Sequence, residues 1–590
     1  MENQQEVCLS VDRKEFKAKK DLLIEYSDYF RAMFSGNFIE KEQEKVRIDV
    51  VDSCSMEILL RYMELGFIDL SDYSLDIVEA LFSAAIFLQI TELIKQIEYC
   101  LEEMLSVSNW VKITEIAQKV PSPKLEQVAV TYGLMSFKYM KPEYIPTMHI
   151  LFWYLSHPYL YAESELQVFT FGVRWCESKE MNSQELLIIL CCLDYSKLLH
   201  SELKEIKDNI SLCNIACGPA QDVINGLFHI SEVSDLSIKS IEENKALLFK
   251  YDEKLGEDLY TLVINIICES IKRKLKLTPA FPMWTYEGHA GETAELTPNF
   301  LMTYSHETGF NKWIEISTKN YWGWNLTTWS STKIVMCCGE HGRGTGKFMR
   351  DVKVYDIHKK EWIQHGVELP FRRHAGVVVL GDELYILGGV GGYRIVLDTA
   401  IIYHLKQRTF RKIASLPDAI QSPAVCVYEN EVYVAGQKHI YKYIGTGMND
   451  RWEKVVETQI SPNFLVSLNG YIYAAQNYFN WLFRFKPGVD TELKEFERLQ
   501  YPPMALYVMG STILGFTFRF GEEDDNNQLT VEELQTATGM GVRNRRICWS
   551  QKFNKCGVHT TGSCLVLMDP PPINTGISEF HQEILKANAQ

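Results

Sequence analysis

The C-terminal half of this sequence repeats an aromatic residue in a polar setting about every 40–50 residues. Each repeat follows short β-branched runs punctuated by glycine, such as GVVVLGDELYILGG, where GD separates two apolar segments as in a β-hairpin. One four-stranded unit cannot bury both faces of its sheet, so six consecutive units predict a ring of six blades, a β-propeller. The recurring aromatics are Trp313, Trp362, Phe410, Trp452, Phe496 and Trp549, most of them preceded by a second aromatic, namely Tyr304, Tyr355, Tyr403, Tyr443 and Phe485.

The N-terminal half has a different periodicity. Up to about residue 275, apolar residues recur three and four positions apart and glycines are few, which predicts helices. Near its start, YFRAMFSGNFIEKEQEKVRIDV begins with an amphipathic helix pattern and ends with KVRIDV, which alternates as a half-buried strand does. The polar connection between the two carries one large apolar residue, Phe38, with Glu40 two places on. A loop gives no packing reason for that phenylalanine.

Composition and charge exclude several classes of function. A formal net charge of −16 over 590 residues leaves no basic footprint for a nucleic-acid backbone. No apolar run approaches the roughly 18 residues of a membrane span, and the N-terminus lacks the pattern of a signal peptide. Fifteen cysteines, an odd number scattered along the chain, do not form a disulfide framework pattern. We therefore expect a folded protein of about three or four domains. We expect it in the cytoplasm and also in the nucleus, where thiols stay reduced.

Motifs in both halves resemble those of one protein family. LGDELYILGG, followed by Tyr403 and Phe410, resembles the kelch repeat, and LPFRRHAG resembles the entry to such a repeat. LSVDRKEFKAKKDLLIEYSDYFRAMFSGNFIE resembles the core of a BTB domain, while SNWVKITEIA and AESELQVFTFGVRW resemble segments of a BACK domain. These segments follow one another in the order BTB, BACK and kelch. The sequence therefore resembles that of a BTB–BACK–kelch protein and would be a divergent member of this family.

This resemblance implies a multidomain α+β chain with three folded parts. A BTB domain of the α/β class is expected at residues 1–105, and an all-α BACK domain with a helical linker at 106–275. A six-bladed kelch β-propeller would cover 276–569, followed by a C-terminal tail at 570–590. The run GVHTTGSCLVLMD is expected to return to the first blade and remove the open edge of its sheet.

The resemblance also implies a function. In this family a hydrophobic–x–Glu motif in the loop after the BTB helix docks cullin-3, and Phe38 and Glu40 occupy that place, flanked by Tyr29 and Met33. A protruding aromatic side chain can fill a pocket on a partner while a nearby carboxylate fixes its orientation. The chain would then be the substrate-recognition adaptor of a cullin-3 RING ubiquitin ligase. The alternative is that Phe38 packs against its own domain and Glu40 is solvated.

Two alternatives about partners stay open. The helix and strand that build the two-fold BTB dimer in the family have no counterpart before Glu6, so BTB homodimerisation is undecided. The family's Tyr-Thr-Gly, on the surface that faces cullin, is replaced by Glu64-Leu65-Gly66. The alternative function is therefore a cytoskeletal kelch scaffold that binds actin without any cullin.

Substrate contacts are expected from loops on one face of the propeller, since loops held by a rigid scaffold carry recognition. The candidates are Arg343, Arg372, Arg373, His374 and Tyr393. Arg372 and Arg373 could equally be structural residues that are paired within their blade.

No motif predicts catalysis, a metal site or a cofactor. GEHGRGTGK lacks the spacing of a phosphate-binding loop, which favours a flexible basic loop. Cys213 and Cys217 lie one helical turn apart and Cys337 and Cys338 are adjacent, but neither pair has the second pair that a structural zinc site needs. Buried structural thiols are favoured over redox-sensing ones. We therefore expect a non-catalytic adaptor.

Overall fold

The computed structural model divides the chain into two compact units. One comprises residues 1–136, 143–146 and 571–574, and the other comprises residues 137–142, 147–570 and 575–590. Phe38, Glu40, Cys213 and Cys217 lie outside the residues that the structure describes. The described residues are 6–35, 43–180, 183–198, 200–210, 218–233, 236, 257–274, 277–287, 295–296, 299–317, 321–365, 368–445, 449–519, 527–536, 542–553, 556–558, 562 and 564–573.

The first unit is built on a three-stranded sheet covered by helices. Strand β1 (Glu6–Val11) pairs antiparallel with β2 (Lys14–Lys19) and parallel with β3 (Lys45–Arg47). Alternate residues of β1 are buried, as the period of two in a strand with one covered face requires. The helices are Lys20–Tyr26, Asp28–Ser35, Ser53–Leu65, Leu75–Phe87, Thr91–Met104, Trp110–Lys119 and Pro123–Met135.

The second unit begins with further helices. Their bounds are Met148–Ser156, Glu165–Ser178, Ser183–Leu190, His200–Ile210, Pro219–Val233 and Glu257–Cys268. A short 3₁₀ turn of this unit lies at Phe137–Tyr139, and a second turn, Pro142–Tyr144, contains residues of both units. In the part of the chain that is described, no helix is long and apolar enough to cross a bilayer.

A buried charge network ties the end of the helical region to its own core. The side chain of Arg273, from the basic run KRKLK, is almost completely buried, and its Nε lies 3.0 Å from Glu165 Oε1. Its guanidinium also donates to the carbonyls of His157 and Cys192 at 2.8 and 2.9 Å. The backbone N–H of Arg273 donates to the Asp194 carboxylate at 2.9 Å. This arginine of the basic run is therefore structural and does not lie on a surface that could read phosphates.

The rest of the second unit consists of six antiparallel sheets, numbered here as blades 1 to 6. Blade 1 contains Leu277–Glu287, Asn299–Ser305 and Gly309–Ser317 together with the C-terminal strands Cys556–Val558 and Cys564–Leu567. Each of the other five blades has four strands. Blade 2 contains Asn325–Trp329, Lys333–Cys337, Val352–Asp356 and Glu361–His365, and blade 3 contains Gly376–Leu380, Glu383–Leu387, Ala400–His404 and Thr409–Ile413. Blade 4 contains Val425–Tyr428, Glu431–Ala435, His439–Ile444 and Arg451–Glu457, blade 5 contains Phe464–Leu468, Tyr471–Ala475, Trp481–Phe485 and Lys494–Arg498, and blade 6 contains Ala505–Met509, Thr512–Arg519, Asn527–Thr536 and Val542–Phe553. Short strands at Glu295–Leu296, Tyr321–Trp322 and Glu340–His341 lie beside blades 1 and 2.

The aromatic repeat of the sequence corresponds to the outer edge of each blade. All six recurring aromatics lie in the outermost strand, and the preceding aromatics lie in the third strand. In blade 2, Tyr355 and Trp362 are directly opposite each other and their ring centroids are 5.2 Å apart. Tyr443 and Trp452 repeat this arrangement in blade 4 at 5.2 Å. Such cross-strand aromatic pairs stabilise a sheet. Because the structure contains six blades with the recurring aromatic in each outermost strand, the prediction of six blades is confirmed.

The ring is closed by a C-terminal strand. Cys564–Leu567 pairs antiparallel with Leu277–Ala280, which completes the inner part of blade 1 as the sequence predicted. Six separate apolar cores fill the six junctions between neighbouring blades, including the junction of blades 6 and 1. At that junction the Tyr507 hydroxyl donates to the Ala280 carbonyl at 3.0 Å. Two segments that are far apart in the sequence therefore meet in one sheet.

Backbone shape explains why one blade keeps a glycine pair. Gly388 and Gly389 have φ values of +58° and +99°, and a Cβ on Gly389 would lie 2.8 Å from the Arg373 carbonyl oxygen. In blade 2 the matching positions are Cys338 and Gly339, and Cys338 adopts a φ of +62°. A left-handed conformation is costly for a residue with a side chain, so the partial loss of the kelch glycine pair adds local strain.

Replacing Val566 with alanine should weaken ring closure. Val566 is fully buried in the closing strand, so losing its methyl groups should cost about 2 kcal/mol and lower the unfolding midpoint by about 4 °C. The matched control is Val489→Ala, because Val489 is 68% exposed and its substitution should change stability by less than about 0.5 kcal/mol. Thermal unfolding of the full chain, followed by circular dichroism, distinguishes the two variants. Equal midpoints for both variants would contradict the closure.

Candidate functional site

The first candidate surface is one face of the helix Asp28–Ser35 in the N-terminal unit. Phe30 and Phe34 are buried on one side of this helix, whereas Tyr29 and Met33 are only partly buried. The Tyr29 ring packs against Phe87 with 5.1 Å between centroids, which fixes its direction. The sequence thus predicted correctly that the helix has a buried face. Tyr29 and Met33 lie in this helix, and Phe38 and Glu40 follow it in the sequence, outside the described residues.

Two exposed apolar residues lie at the end of another helix of this unit. Helix Ser53–Leu65 ends at Gly66, which has a φ of +76°. Leu65 is 54% exposed and Phe67 is 65% exposed, so both project into solvent on either side of this turn. A Cβ on Gly66 would lie 3.6 Å from the Tyr26 hydroxyl oxygen, which brings the turn close to the helix that precedes Asp28–Ser35. The sequence pointed to Leu65 only as a departure from the family pattern and missed Phe67.

The loop GEHGRGTGK of blade 2 is organised by its own carboxylate. Glu340 is fully buried, and its carboxylate accepts hydrogen bonds from the backbone N–H groups of Gly344 and Gly346. Arg373 Nη1 lies 3.3 Å from the same carboxylate. An internal anion thus occupies the loop's N–H donors, so the loop cannot offer those groups to a phosphate. Arg343 projects from this loop and is exposed, as the sequence predicted for a basic loop.

Arg372 and Arg373 are removed from the candidate binding residues. Arg372 is 2% exposed and donates to the carbonyls of Gly388 and Thr399 at 3.0 and 2.8 Å, so it joins two segments of blade 3. Arg373 is 8% exposed and forms the ion pair with Glu340. Both side chains are structural, which is the alternative that the sequence had left open.

His374 and Arg343 meet at the ring of Trp322. The His374 ring lies edge-on to Trp322 with 4.5 Å between centroids, and the Arg343 guanidinium lies 5.4 Å from the Trp322 centroid. Burial, followed by the charge of Arg373, lowers the pKa of His374. The imidazole is therefore neutral at neutral pH, and in the folded state it takes up a proton only at lower pH than a free histidine.

Tyr393 is the most exposed of the predicted contact residues. It is 101% exposed at the tip of the loop between the second and third strands of blade 3, with a φ of +53°. Phe371, Ile395 and Val396 beside it are also exposed large apolar side chains, and the sequence missed all three. The adjacent Gly392 places this tip next to Phe371, since a Cβ there would lie 3.3 Å from the Phe371 ring.

These contacts form one continuous surface, called here the loop-face patch. The Phe348 and Phe371 rings are 4.9 Å apart, and Arg350 lies 5.4 Å from the Phe371 centroid. Arg373 bridges Phe348 and Trp322 from below, at 5.7 and 5.0 Å. The loop-face patch consists of Trp322, Arg343, Phe348, Arg350, Phe371 and Tyr393, from blades 2 and 3.

The inner strands of the six blades surround a cavity of about 450 Å³. Lys138 and Glu163, from the helical part of the same unit, also line it, and Lys138 Nζ lies 3.0 Å from Glu163 Oε1. Burial alone would lower the pKa of the Lys138 ammonium group. The nearby Glu163 carboxylate raises this pKa by more, so the pKa of Lys138 is raised overall. Cys426, in the inner strand Val425–Tyr428 of blade 4, lines the same cavity.

The adjacent thiols Cys337 and Cys338 are buried, with 0% and 5% exposure. The burial of this pair agrees with the structural role favoured from the sequence. The cysteines whose side chains the structure describes are free thiols.

Comparisons with known proteins match two parts of the chain to domain families. Residues 1–105 match the BTB/POZ domain, and residues 372–417, which cover blade 3, match the Kelch motif. Kelch-like protein 26 of Danio rerio is 26% identical over 202 residues, 34% of this chain and 33% of that protein. Kelch repeat and BTB domain-containing protein 2 of Homo sapiens is 26% identical over 227 residues, 38% of this chain and 35% of that protein. The match thus spans about a third of these relatives.

A more distant relative matches almost end to end. Kelch-like protein 40 of Xenopus laevis is 20% identical over 596 residues, 90% of this chain and 92% of that protein. A BTB domain, a helical region and a six-bladed propeller thus lie in one chain. In its domains and their order, this chain is similar to the BTB-kelch proteins.

Replacing Glu340 with glutamine should release the loop that carries Arg343. The amide leaves Arg373 buried without its counter-charge and weakens both loop hydrogen bonds, at a cost of about 3–5 kcal/mol. Trypsin should then cleave after Arg343 and Lys347 much faster than in the wild type. The control is Glu368→Gln, because Glu368 is 82% exposed and its ion pair with Arg350 should contribute little. Cleavage that is equally fast in all three proteins would contradict the role of Glu340.

Proposed function

We propose that this chain is a substrate-recognition adaptor of a cullin-3 RING ubiquitin ligase, whose BTB half binds cullin-3 and whose propeller binds the substrate. The observation that carries the proposal is the presence, in one BTB-kelch chain, of two separate exposed apolar surfaces. One is around Phe67 in the N-terminal unit, and the other is the loop-face patch in the propeller. Contiguous exposed apolar residues rimmed by polar ones are typical of protein-binding sites.

The cullin-binding surface combines a helix face with the neighbouring loop. Phe38 supplies the aromatic anchor and Glu40 the orienting carboxylate, in the place where the family carries its hydrophobic–x–Glu motif. Tyr29 and Met33 line the helix beside that loop, and Phe67 adds a second exposed aromatic anchor. Burying Phe67 in an interface removes an apolar surface that the free chain leaves in water.

The substrate-binding surface is the loop-face patch. Its arginines lie over aromatic rings, so each guanidinium is held in place while its charge stays available to a partner. Tyr393 stands free at the rim and can enter a pocket of a bound protein. Because the loops rest on closed blades, little conformational entropy is lost on binding.

The mechanism is positioning, and the chain itself carries out no chemistry. An adaptor that holds a substrate and a ligase on one scaffold raises their effective concentration, so that ubiquitin transfer becomes an intramolecular event. We place this function in the cytoplasm, and in the nucleus where the substrate is nuclear, because free thiols suit a reducing compartment.

Calorimetric titration of the full chain with the N-terminal region of cullin-3 tests the proposal. We expect micromolar or tighter binding, and loss of binding in the double variant Phe38→Ala/Glu40→Lys. Phe67→Ala should weaken binding about tenfold, because an exposed aromatic anchor contributes about 1–2 kcal/mol. The matched control is Tyr99→Ala, which removes an aromatic side chain of the same unit that is 50% exposed and should leave the affinity unchanged.

The alternative, an actin-associated scaffold, predicts the opposite outcome. A folded wild-type chain that binds no cullin-3 but co-sediments with actin filaments would reject the adaptor function. Light scattering of the same sample gives the stoichiometry and decides whether the BTB unit forms a homodimer.

A further inference from the structure

Three side chains that could bind a metal ion meet at the junction of blades 6 and 1, whereas the loop-face patch lies on blades 2 and 3. They are His306, in the turn between the second and third long strands of blade 1, and Glu533 and Cys548, in the two outer strands of blade 6. The candidate ligand atoms all lie within 4.8 Å of one another. Cys548 Sγ lies 3.0 Å from Glu533 Oε2, the closest approach that the structure gives among them.

A β-bulge directs Cys548 into this cluster. The register between the two outer strands of blade 6 shifts at Val531 and Glu532, which are opposite Trp549 and Ile547 respectively. Cys548 lies between the latter two and is the extra residue of the bulge. Bulges change the direction of a side chain and are frequent next to functional sites.

A close contact between blades holds His306 in place. Gly309, with a φ of +71°, ends the turn, and a Cβ there would lie 2.4 Å from the Trp549 ring. Glycine therefore lets the turn press directly against blade 6. The Tyr304 hydroxyl lies 3.3 Å from His306 Nδ1, and such a hydrogen bond orients the imidazole of a metal ligand.

We propose that His306, Glu533 and Cys548 bind a zinc ion that links blade 6 to blade 1. Zinc accepts imidazole nitrogen, thiolate sulfur and carboxylate oxygen in a tetrahedral arrangement. Calcium and magnesium require oxygen ligands, which this set does not supply in number. When zinc binds, the thiol proton passes to solvent, and the thiolate and carboxylate neutralise the two charges of the ion.

The remaining contacts of Glu533 are compatible with a bound ion. Arg546 Nε donates to Glu533 Oε2 at 2.8 Å. Because the Arg546 side chain is 60% exposed, it can either keep this hydrogen bond when an ion is bound or turn into the solvent. Glu533 itself is 7% exposed, and His306 is exposed. The fourth zinc position therefore faces solvent and is taken by water.

Cobalt titration of the metal-free full chain, kept reduced with a phosphine, tests this site. We expect one equivalent of Co²⁺ to produce a thiolate-to-cobalt absorption band, and Zn²⁺ to displace it. Cys548→Ala should remove the band, and His306→Ala should weaken Co²⁺ binding at least tenfold. Cys54→Ala, which removes an exposed thiol in the other unit, is the matched control and should change neither.

A second readout is independent of the spectrum. Zn²⁺ should raise the unfolding midpoint of the wild type and of Cys54→Ala, but not that of His306→Ala. His306 is exposed, so its loss should leave the metal-free fold intact, which circular dichroism checks. A wild type without a thiolate band, or a band that persists unchanged in Cys548→Ala and His306→Ala, would overturn the proposal. Neither result bears on cullin-3 binding.

Discussion

The pairing of Cys564–Leu567 with Leu277–Ala280 is the constraint on which the propeller depends. Every blade needs a neighbour on each side, because each junction between blades is filled by apolar side chains from both. Without the closing strand, blade 1 would keep an open edge, and the cores that it shares with blades 2 and 6 would lose one wall. The loop-face patch spans blades 2 and 3 and so depends on the spacing that the closed ring fixes.

Buried charges hold the loops of the propeller in their exposed positions. Glu340 pairs with Arg373 and accepts two backbone hydrogen bonds, and Arg372 ties the glycine pair of blade 3 to Thr399. Burying such groups is costly unless each is paired, so every partner matters to the loop conformation. The exposure of Arg343 and Tyr393 follows from this buried scaffold. In the proposed function, the residues that recognise a substrate therefore differ from the buried residues that fix the backbone.

The sequence predicted the features that repeat and missed those that depend on contacts between distant segments. Six blades followed from the aromatic repeat, because each aromatic marks a cross-strand pair in the same place of every blade. Arg372 and Arg373 look the same in sequence as exposed arginines, and only Glu340, Gly388 and Thr399 around them reveal their burial.

Other misses have a similar physical cause. Phe67 and Ile395 are single apolar residues in turns, and no periodicity distinguishes an exposed one from a buried one. His306 and Cys548 come together only because the ring closes, so no local spacing could have paired them. The docking role of Phe38 and Glu40 remains a prediction, since both lie outside the described residues.

The most direct test of the adaptor function is the half-life of the proteins that the propeller captures in cells. Three forms of the chain are compared: the wild type, Phe38→Ala/Glu40→Lys, and Tyr393→Ala. We predict that captured proteins turn over fastest with the wild type, and that the double variant still captures them but lengthens their half-lives. Tyr393→Ala should capture less and also lengthen them. Equal half-lives with all three forms, at equal expression, would contradict the account and leave the chain as a scaffold.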